Sequence, residues 1–258
     1  MRCALLAGWF APQASAVAHA DHDMAAMSEN HHGDESEISA GVSVQAAEFD
    51  NMLYEGSYQS VAPSLGWMRG RFGASATVGL YHLTKNGLSE YGIGDAMFTG
   101  HATVYSTDEL DTGVAVHVMV PTGSELQGFG MGHTMAMPSV WGSWRWRRAT
   151  FRASAGYSRA LVKLSGPAHN HGPAPLVDPM NMNELSWSTG ADVAIAHGVV
   201  VGARALGGLA IGSGTDRVIG AGRVAWGSPR FTTGVELQLG LAGDPFSVRG
   251  VVDTALRF

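Results

Sequence analysis

The feature that most constrains the fold is a strict alternation of apolar and polar side chains near the end of the chain, in residues 246–258 (FSVRGVVDTALRF). One face would carry Phe246, Val248, Gly250, Val252, Thr254, Leu256 and Phe258, and the other Ser247, Arg249, Val251, Asp253, Ala255 and Arg257. A period of two is that of a β-strand whose two faces meet different surroundings. The pattern predicts such a strand, and by itself it would also fit a soluble all-β sandwich.

A final strand that stops on an aromatic residue resembles the terminal strand of bacterial outer-membrane β-barrels. This resemblance implies that Phe258 is the membrane-insertion signal recognised by the barrel-assembly machinery. Only 15% of the 258 residues are charged, whereas soluble domains average about 25%, so a large surface is expected not to face water. No run of 18 or more apolar residues is present, and a chain that crosses a membrane without such helices does so as a closed barrel.

The same alternation recurs in about twelve segments separated by turn signals. They span approximately residues 40–49, 54–66, 70–82, 91–105, 112–121, 135–147, 149–162, 184–196, 198–210, 217–226, 230–241 and 246–258. Tight turns, the first expected at residues 67–69, alternate with longer connections, of which 122–134 and 163–183 are the longest. An even strand number with short turns at one end and long loops at the other is typical of outer-membrane barrels. We therefore predict an all-β, transmembrane, antiparallel up-and-down β-barrel over residues 39–258, in the bacterial outer membrane, with both termini in the periplasm.

The N-terminal region has a different character. Residues 1–20 combine Arg2, a short apolar core over residues 4–10 and a small-x-small site at residues 18–20, which predicts a signal peptide. Residues 21–38 are acidic and rich in His and Met, and they contain too few apolar residues to offset the entropy of ordering. We expect a disordered periplasmic arm there. The only cysteine, Cys3, lies in the signal segment, so no disulfide is expected.

The inward face of the predicted barrel collects polar and charged side chains. The predicted lumen-lining residues are Arg71, Asp95, Met97, His101, His117, Met119, Arg145, Arg152, Asp192, Arg204, Arg223, Glu236, Arg249 and Asp253. They suit either a narrow aqueous pore or a wall of ion pairs. His101 and His117 are expected on neighbouring strands, where they could bind a metal, gate with pH or form a hydrogen-bonded pair in a polar wall.

Aromatic residues near the predicted strand ends suggest a girdle at the membrane interface, and the alternative for some of them is a core or lumen position. The candidates are Trp67, Trp141, Trp144, Trp146, Trp187, Trp226, Phe246 and Phe258.

Residues 91–144 carry a second resemblance. They read YGIGDAMFTGHATVYS, then TGVAVHVMVPTGS, then a Gly-rich loop followed by MAMPSVWGSW. This arrangement resembles the envelope "transporter", or MetA-pathway-of-phenol-degradation, family of outer-membrane barrels, and the matching residues are Gly92, Gly94, Asp95, Pro121, Thr122 and Gly123. The resemblance implies a barrel that transports small molecules. From the residues alone, the glycines predict a close strand approach or a bend, and Pro121 predicts a strand end.

The His- and Met-rich segments depart from that family. The candidate metal ligands are His22, Met24, Met27, His31, His32, Met131, His133, Met135, Met137, His169, His171, Met180 and Met182. Thioethers together with imidazoles suit copper or silver ions rather than Mg²⁺ or Ca²⁺. The alternative is that these methionines fill gaps where loops fold over the barrel mouth. No cofactor is required on either interpretation.

These patterns favour a channel or transporter for a small solute, connected with copper or another soft metal through its loops and surrounded by outer-membrane lipid. The alternative is a closed barrel that serves as a metal-binding or structural surface protein. A third interpretation is a barrel enzyme that acts on lipid. We predict that the chain is not an enzyme, because its Gly-Ser pairs lack the nucleophile-elbow pattern. A net charge of −6 without a basic stripe argues against nucleic-acid binding.

Overall fold

The computed structural model describes residues 36–50, 55–161, 177, 180–243 and 246–258. Its strands are β1 (Ser36–Asp50), β2 (Glu55–Arg69), β3 (Phe72–Thr77), β4 (Leu80–Lys85), β5 (Leu88–Ile93), β6 (Ala96–Ser106), β7 (Leu110–Val120), β8 (Met135–Trp146), β9 (Ala149–Ala160), β10 (Asn183–Ala196), β11 (Val199–Ala210), β12 (Arg217–Gly227), β13 (Phe231–Ala242) and β14 (Phe246–Arg257). None of the described residues belongs to a helix long and apolar enough to cross a membrane. The predicted signal peptide and most of the predicted arm lie outside the described residues, and β1 begins at Ser36, within the segment assigned to the arm.

All strands belong to one antiparallel sheet that closes on itself, because β1 pairs with both β2 and β14. Strands β3 and β4 pair with β2 in one continuous register, as Ser64 opposite Thr77 and Val61 opposite Leu80 show. Together β3 and β4 therefore form one interrupted strand of the barrel wall, and β5 and β6 form the next one. We call each such full-length wall strand a stave. The predicted all-β, up-and-down barrel of twelve staves is therefore confirmed.

The alternation places apolar side chains on the outside of the barrel. Seven valines stand at directly paired positions on seven consecutive staves and form an outer row: Val193, Val201, Val224, Val235, Val252, Val44 and Val61. Each of them is at least 38% exposed. β-Branched side chains pack well on a pleated surface, and a contiguous apolar belt of this extent marks a surface that does not face water.

The outward position predicted for Phe246 was wrong. The register between β1 and β14 shifts between Glu48 and Phe49, so that Phe246 pairs with Phe49. A bulge adds one residue to one strand and reverses which face the next side chain takes. Phe246 therefore lies inside the barrel, where the Arg249 guanidinium carbon sits 4.1 Å from the centre of its ring.

The other aromatic candidates also divide by position. Trp141 lies inside the barrel at 5% exposure, against Gly113, which has no room for a side chain. Trp187 is half-buried and packs over Gly207. The exposed girdle residues are Trp67, Trp144, Trp146, Trp226 and Phe258, near the end of the barrel that holds the short turns.

Short turns and long loops are sorted to opposite ends, as predicted. The turns at residues 70–71, 107–109, 147–148, 197–198 and 228–230 share one end with the start of β1 and the end of β14. Residues 121–134 and the described ends of the other long connection, residues 161 and 180–182, lie at the other end. The first turn falls at Gly70 and Arg71 instead of residues 67–69, because β2 continues to Arg69 and Gly70 takes a left-handed conformation with φ +55°. The tight hairpin at the loop end uses Asn86 and Gly87, both with positive φ, as a two-residue turn of this kind requires.

The valine row allows a test of whether the outer wall faces lipid. Val235 lies near the middle of β13 and is 59% exposed. Arginine at the mid-plane of a lipid-facing strand costs about 2–4 kcal/mol. We expect Val235→Arg to lower the free energy of unfolding by that amount when the barrel is refolded in lipid vesicles and unfolded with urea. The matched variant Val235→Leu should change it little. Equal stability of Val235→Arg and the parent would contradict a lipid-facing row.

Candidate functional site: the barrel lumen

Strands β9–β14 point charged side chains into the lumen, and Asp192 on β10 stands at the centre of one group. Arg223 Nε and Nη2 donate to Asp192 Oδ1 and Oδ2, each at 3.0 Å. Arg152 Nη1 donates to the same Oδ2. Gly202 pairs with Asp192 on one side and with Arg223 on the other. It has no room for a side chain, because a Cβ there would collide with the Asp192 carboxylate. One carboxylate thus holds two guanidinium groups, and these three side chains together carry a net positive charge.

A second group runs across β11, β13, β14 and β2. Arg204 Nη2 donates to Glu236 Oε1 at 2.7 Å, and Gln238 Nε2 donates to that oxygen as well. Gln238 Oε1 in turn accepts from Arg249 Nε at 2.8 Å, and Arg249 Nη1 donates to the Tyr58 hydroxyl at 3.2 Å. The chain of contacts holds Arg249 at 1% exposure. A buried guanidinium is tolerated because its donors are satisfied within the protein.

The sequence analysis missed a third group. Arg217 Nη2 donates to Glu184 Oε1 at 2.8 Å and to Oε2 at 2.7 Å, and both side chains are almost fully buried. The alternation could have predicted that both side chains face the lumen. Glu184 is an even number of residues from Asp192 on the same strand, and Arg217 is an even number from Arg223. Nearer the turn end, Arg145 Nη1 lies 3.2 Å from Asp111 Oδ2.

The loop at residues 121–134 is fastened to the wall by Asp95, which sits between β5 and β6. Asp95 Oδ1 accepts a hydrogen bond from the Gly123 amide at 2.9 Å, and Oδ2 accepts one from the Met131 amide at 2.7 Å. Thr122 Oγ1 donates to the Gly94 carbonyl oxygen at 2.7 Å. Charge-assisted hydrogen bonds are stronger than those between neutral groups. We call this arrangement of Asp95 with Thr122, Gly123 and Met131 the Asp95 latch.

Between the two ends held by the latch, the loop turns into the mouth of the barrel. Phe129 is 1% exposed, and its ring centre lies 6.4 Å from that of Tyr81. Gly92 leaves space for the Phe129 ring, because any side chain at this position would collide with it. Val177, from the other long loop, donates its amide to the Gly128 carbonyl oxygen at 3.2 Å. Parts of both long loops thus fill the lumen at this end.

The latch gives a physical account of the residues in the family resemblance. Asp95, Thr122 and Gly123 form its hydrogen bonds. Gly92 and Gly94 leave room for the rings of Phe129 and Tyr81. The stave also breaks at residues 94–95, directly at Gly94, and β7 ends at Val120, just before Pro121.

The loop methionines meet the lumen methionines on one side of the barrel. One buried cluster contains Met97, Met119, Met131, Met135, Met137, Ala160 and Met180, with Met182 packed against it. His133 is buried between Met131 and Met135 in the chain. The remaining metal candidates, His22, Met24, Met27, His31, His32, His169 and His171, lie outside the described residues.

His117 and His101 both face the lumen, on β7 and β6. The register places His117 opposite Thr99, and His101 opposite Ala115, so the two histidines are diagonal neighbours. His117 Nδ1 lies 2.9 Å from Thr99 Oγ1. The His101 ring occupies space that a side chain at Gly73 would need.

Two further lumen candidates differ in position: Asp253 lies close enough to Arg223 and Glu236 to interact electrostatically with both charged groups, whereas Arg71 lies outside them. Asp253 on β14 stands opposite Gly234, and Arg71 lies in the exposed turn between β2 and β3, at the rim of the barrel.

No protein-family model matches the chain, and no curated protein matches it. Among solved structures, an outer membrane channel from Pseudomonas putida F1 is similar at TM-score 0.61 and 10% identity, over 89% of this chain and 99% of that one. The KdgM porin is similar at TM-score 0.55 and 8% identity, over 85% and 99%. The NanC porin follows at TM-score 0.51 and 11% identity, over 83% and 98%. The chain therefore has the fold of outer-membrane channels and porins, and the expected outer-membrane transporter barrel is confirmed at the level of the fold.

Proposed function

We propose that this protein is an outer-membrane barrel of the Gram-negative envelope that passes a small solute through a lumen restricted by its own loop. The observation that carries the proposal is a closed barrel with an apolar outer wall and a charged inner wall, whose mouth holds the loop fastened by the Asp95 latch. An apolar outside with a polar inside is what a barrel in lipid requires. The similarity to outer-membrane channels supports the same function.

The sorting of the connections supports an orientation for the barrel. Bacterial outer-membrane barrels keep short turns in the periplasm and longer loops outside. We accordingly place both termini in the periplasm, after an N-terminal signal peptide and the His/Met-rich arm. Phe258 would be the residue that the barrel-assembly machinery reads. Its amide donates to the Ile38 carbonyl oxygen at 2.9 Å, so it also completes the seam between the last and first strands.

The size of the barrel limits the solute. Barrels of about 8 strands are filled by their own side chains, whereas those of about 16–18 strands leave an aqueous channel. A twelve-stave barrel lies between these cases. Here Arg249, Gln45 and Gln238 are each 1% exposed, which favours a narrow path that opens when the loop moves. The same burial also supports the alternative, a closed barrel that acts as a metal-binding or structural surface protein.

The Asp95 latch supplies a test that separates these functions. Asp95→Ala removes the acceptor for two loop amides, so the loop should leave the mouth more often. We expect larger or more frequent openings in planar lipid bilayers. Phe129→Ala, which empties the mouth without touching the latch, should have the same effect. Asp108→Ala, at the exposed turn end, is the matched control and should behave like the parent.

Folding of each variant would be checked by the shift in gel mobility on heating. If folded parent, Asp95→Ala and Phe129→Ala barrels all show no discrete openings, the channel proposal fails and the closed barrel takes its place.

The charged wall predicts how the path selects ions. Asp192→Asn leaves the guanidinium groups of Arg152 and Arg223 without their carboxylate. The local positive charge should then attract anions. In a KCl gradient, we expect the reversal potential of Asp192→Asn, measured in the Phe129→Ala background, to move toward the chloride equilibrium potential. Asp108→Asn should leave it unchanged. An unchanged reversal potential in the folded double variant would show that the path does not run along this wall.

A further inference from the structure

The methionine cluster is unusual in its composition. Seven of its members and neighbours are methionines, and Ala160 is the one member with a different side chain. Met68 is the one other methionine within the described ranges. The other large apolar cluster inside the barrel consists of Ala47, Phe49, Tyr58, Ala62, Tyr81, Leu83, Phe129, Val177, Leu206, Ile219 and Phe246, without a methionine. The methionines are therefore concentrated in one part of the lumen and are not a general filler.

Packing alone does not account for this concentration. Burying a methionine costs up to about 1.5–2 kcal/mol of side-chain entropy, against about 0.5–1 kcal/mol for leucine or isoleucine. Methionine also specifies a single packed arrangement less well than branched residues do. What a thioether adds is a soft, polarisable donor atom, which selects ions such as Cu(I).

The strand register brings the donors together. Met97, Met119 and Met135 are directly paired across β6, β7 and β8 and face inward. Directly opposed side chains have Cβ atoms about 4.5–5.5 Å apart, and the flexible methionine side chain can converge from such positions. In the neighbouring inward row, His117 stands opposite Met137. Strand positions thus offer four thioethers and an imidazole within two adjacent rows.

The long loops bring further donors to the same place. Met131 and Met180 belong to the cluster, and Met182 packs against it. Met131 is held there by its amide hydrogen bond to Asp95. Donors on both the fixed wall and the loops would allow an ion to be taken from the loop side and held deeper in the lumen.

Hydrogen bonding prepares His117 for a role as a ligand. Its Nδ1 lies 2.9 Å from Thr99 Oγ1. A metal-binding histidine is typically oriented by such a partner at its other ring nitrogen. When Nδ1 carries the proton and donates it to Thr99, Nε2 bears the lone pair that a metal requires. Further along β6, His101 Nδ1 is buried without a hydrogen-bond partner among the described residues.

The charges around the cluster indicate which ion it would take. No group of three or more His, Cys, Asp or Glu side chains placed to hold a metal ion is found in the described part of the chain. The nearby carboxylate of Asp95 already accepts two loop amides. Hard dications require oxygen ligands, and the buried charge of a dication would need compensation that these neutral donors do not provide. The donor set instead suits a soft monovalent cation.

We infer that the lumen contains a binding site for a soft monovalent cation of the Cu(I) or Ag(I) class, formed by Met97, Met119, Met135, Met137 and His117 and approached past Met131, Met180 and Met182. The inference rests on the proposed function in that it names the class of solute the lumen would admit. The binding itself requires only the folded barrel.

Silver nitrate in chloride-free buffer is the probe, added to the full chain refolded in detergent micelles. The test variant is Met97→Leu/Met119→Leu/Met135→Leu, which conserves side-chain volume and removes three sulfurs. Loss of even an outer-shell partner typically costs about 10–100-fold in metal affinity, so we expect at least a 100-fold loss here. Met68→Leu, outside the cluster, is the control. Far-ultraviolet dichroism and the gel shift on heating would establish that each variant is folded.

Methyl-¹³C labelling of the methionines locates the bound ion even if the N-terminal arm also binds silver. One equivalent of Ag(I) should shift the methyl signals of the cluster in the parent and leave the Met68 signal in place. Unchanged affinity and stoichiometry in the folded triple variant, or no shift of the cluster signals, would overturn the inference. Channel openings that persist in that case leave the proposed function standing. If silver binding depends on the cluster but the barrel shows no openings, the binding site is supported and the channel function is rejected.

Discussion

Backbone pairing between the first and last strands is the interaction on which the rest of this structure depends. β1 and β14 are hydrogen-bonded from Ser39 opposite Arg257 to Phe49 opposite Phe246. In lipid, an unpaired backbone amide or carbonyl costs several kcal/mol, so a sheet with free edges could not exist there. Once the sheet is closed, each side chain must point either outward or inward. The division between an apolar belt and a charged interior follows from that geometry.

The sequence predicts this much because the period of a strand is two, and one face of each strand meets lipid while the other meets the lumen. It locates the staves, the sorted connections and most of the inward charges. It fails at Phe246, where a bulge reverses the parity. It also passes over Glu184 and Arg217, although their parity is correct. The role of Asp95 could not be predicted, because its partner Met131 lies 36 residues away and enters by a loop.

The interior has two chemically distinct sides. Strands β9–β14 carry guanidinium and carboxylate groups linked in networks, whereas β6–β8 carry thioethers and imidazoles. Charges linked in such networks hold side chains in place in a poorly solvated space. The thioether side carries soft, uncharged donor groups. The charged side therefore holds the cylinder rigid, while the thioether side is softer and more adaptable.

The Asp95 latch has a consequence for how freely the loop between its anchor points can vary. Both loop ends are held by the two oxygens of one carboxylate. The distance between Gly123 and Met131 is therefore fixed, whatever residues lie between them. Doubling the length of a flexible loop adds only about 0.6 kcal/mol to the entropy of closure. Residues inserted between Gly123 and Met131 would extend away from the wall without loosening the anchorage. In the proposed orientation, this position would be a natural place to graft a foreign peptide for display at the cell surface.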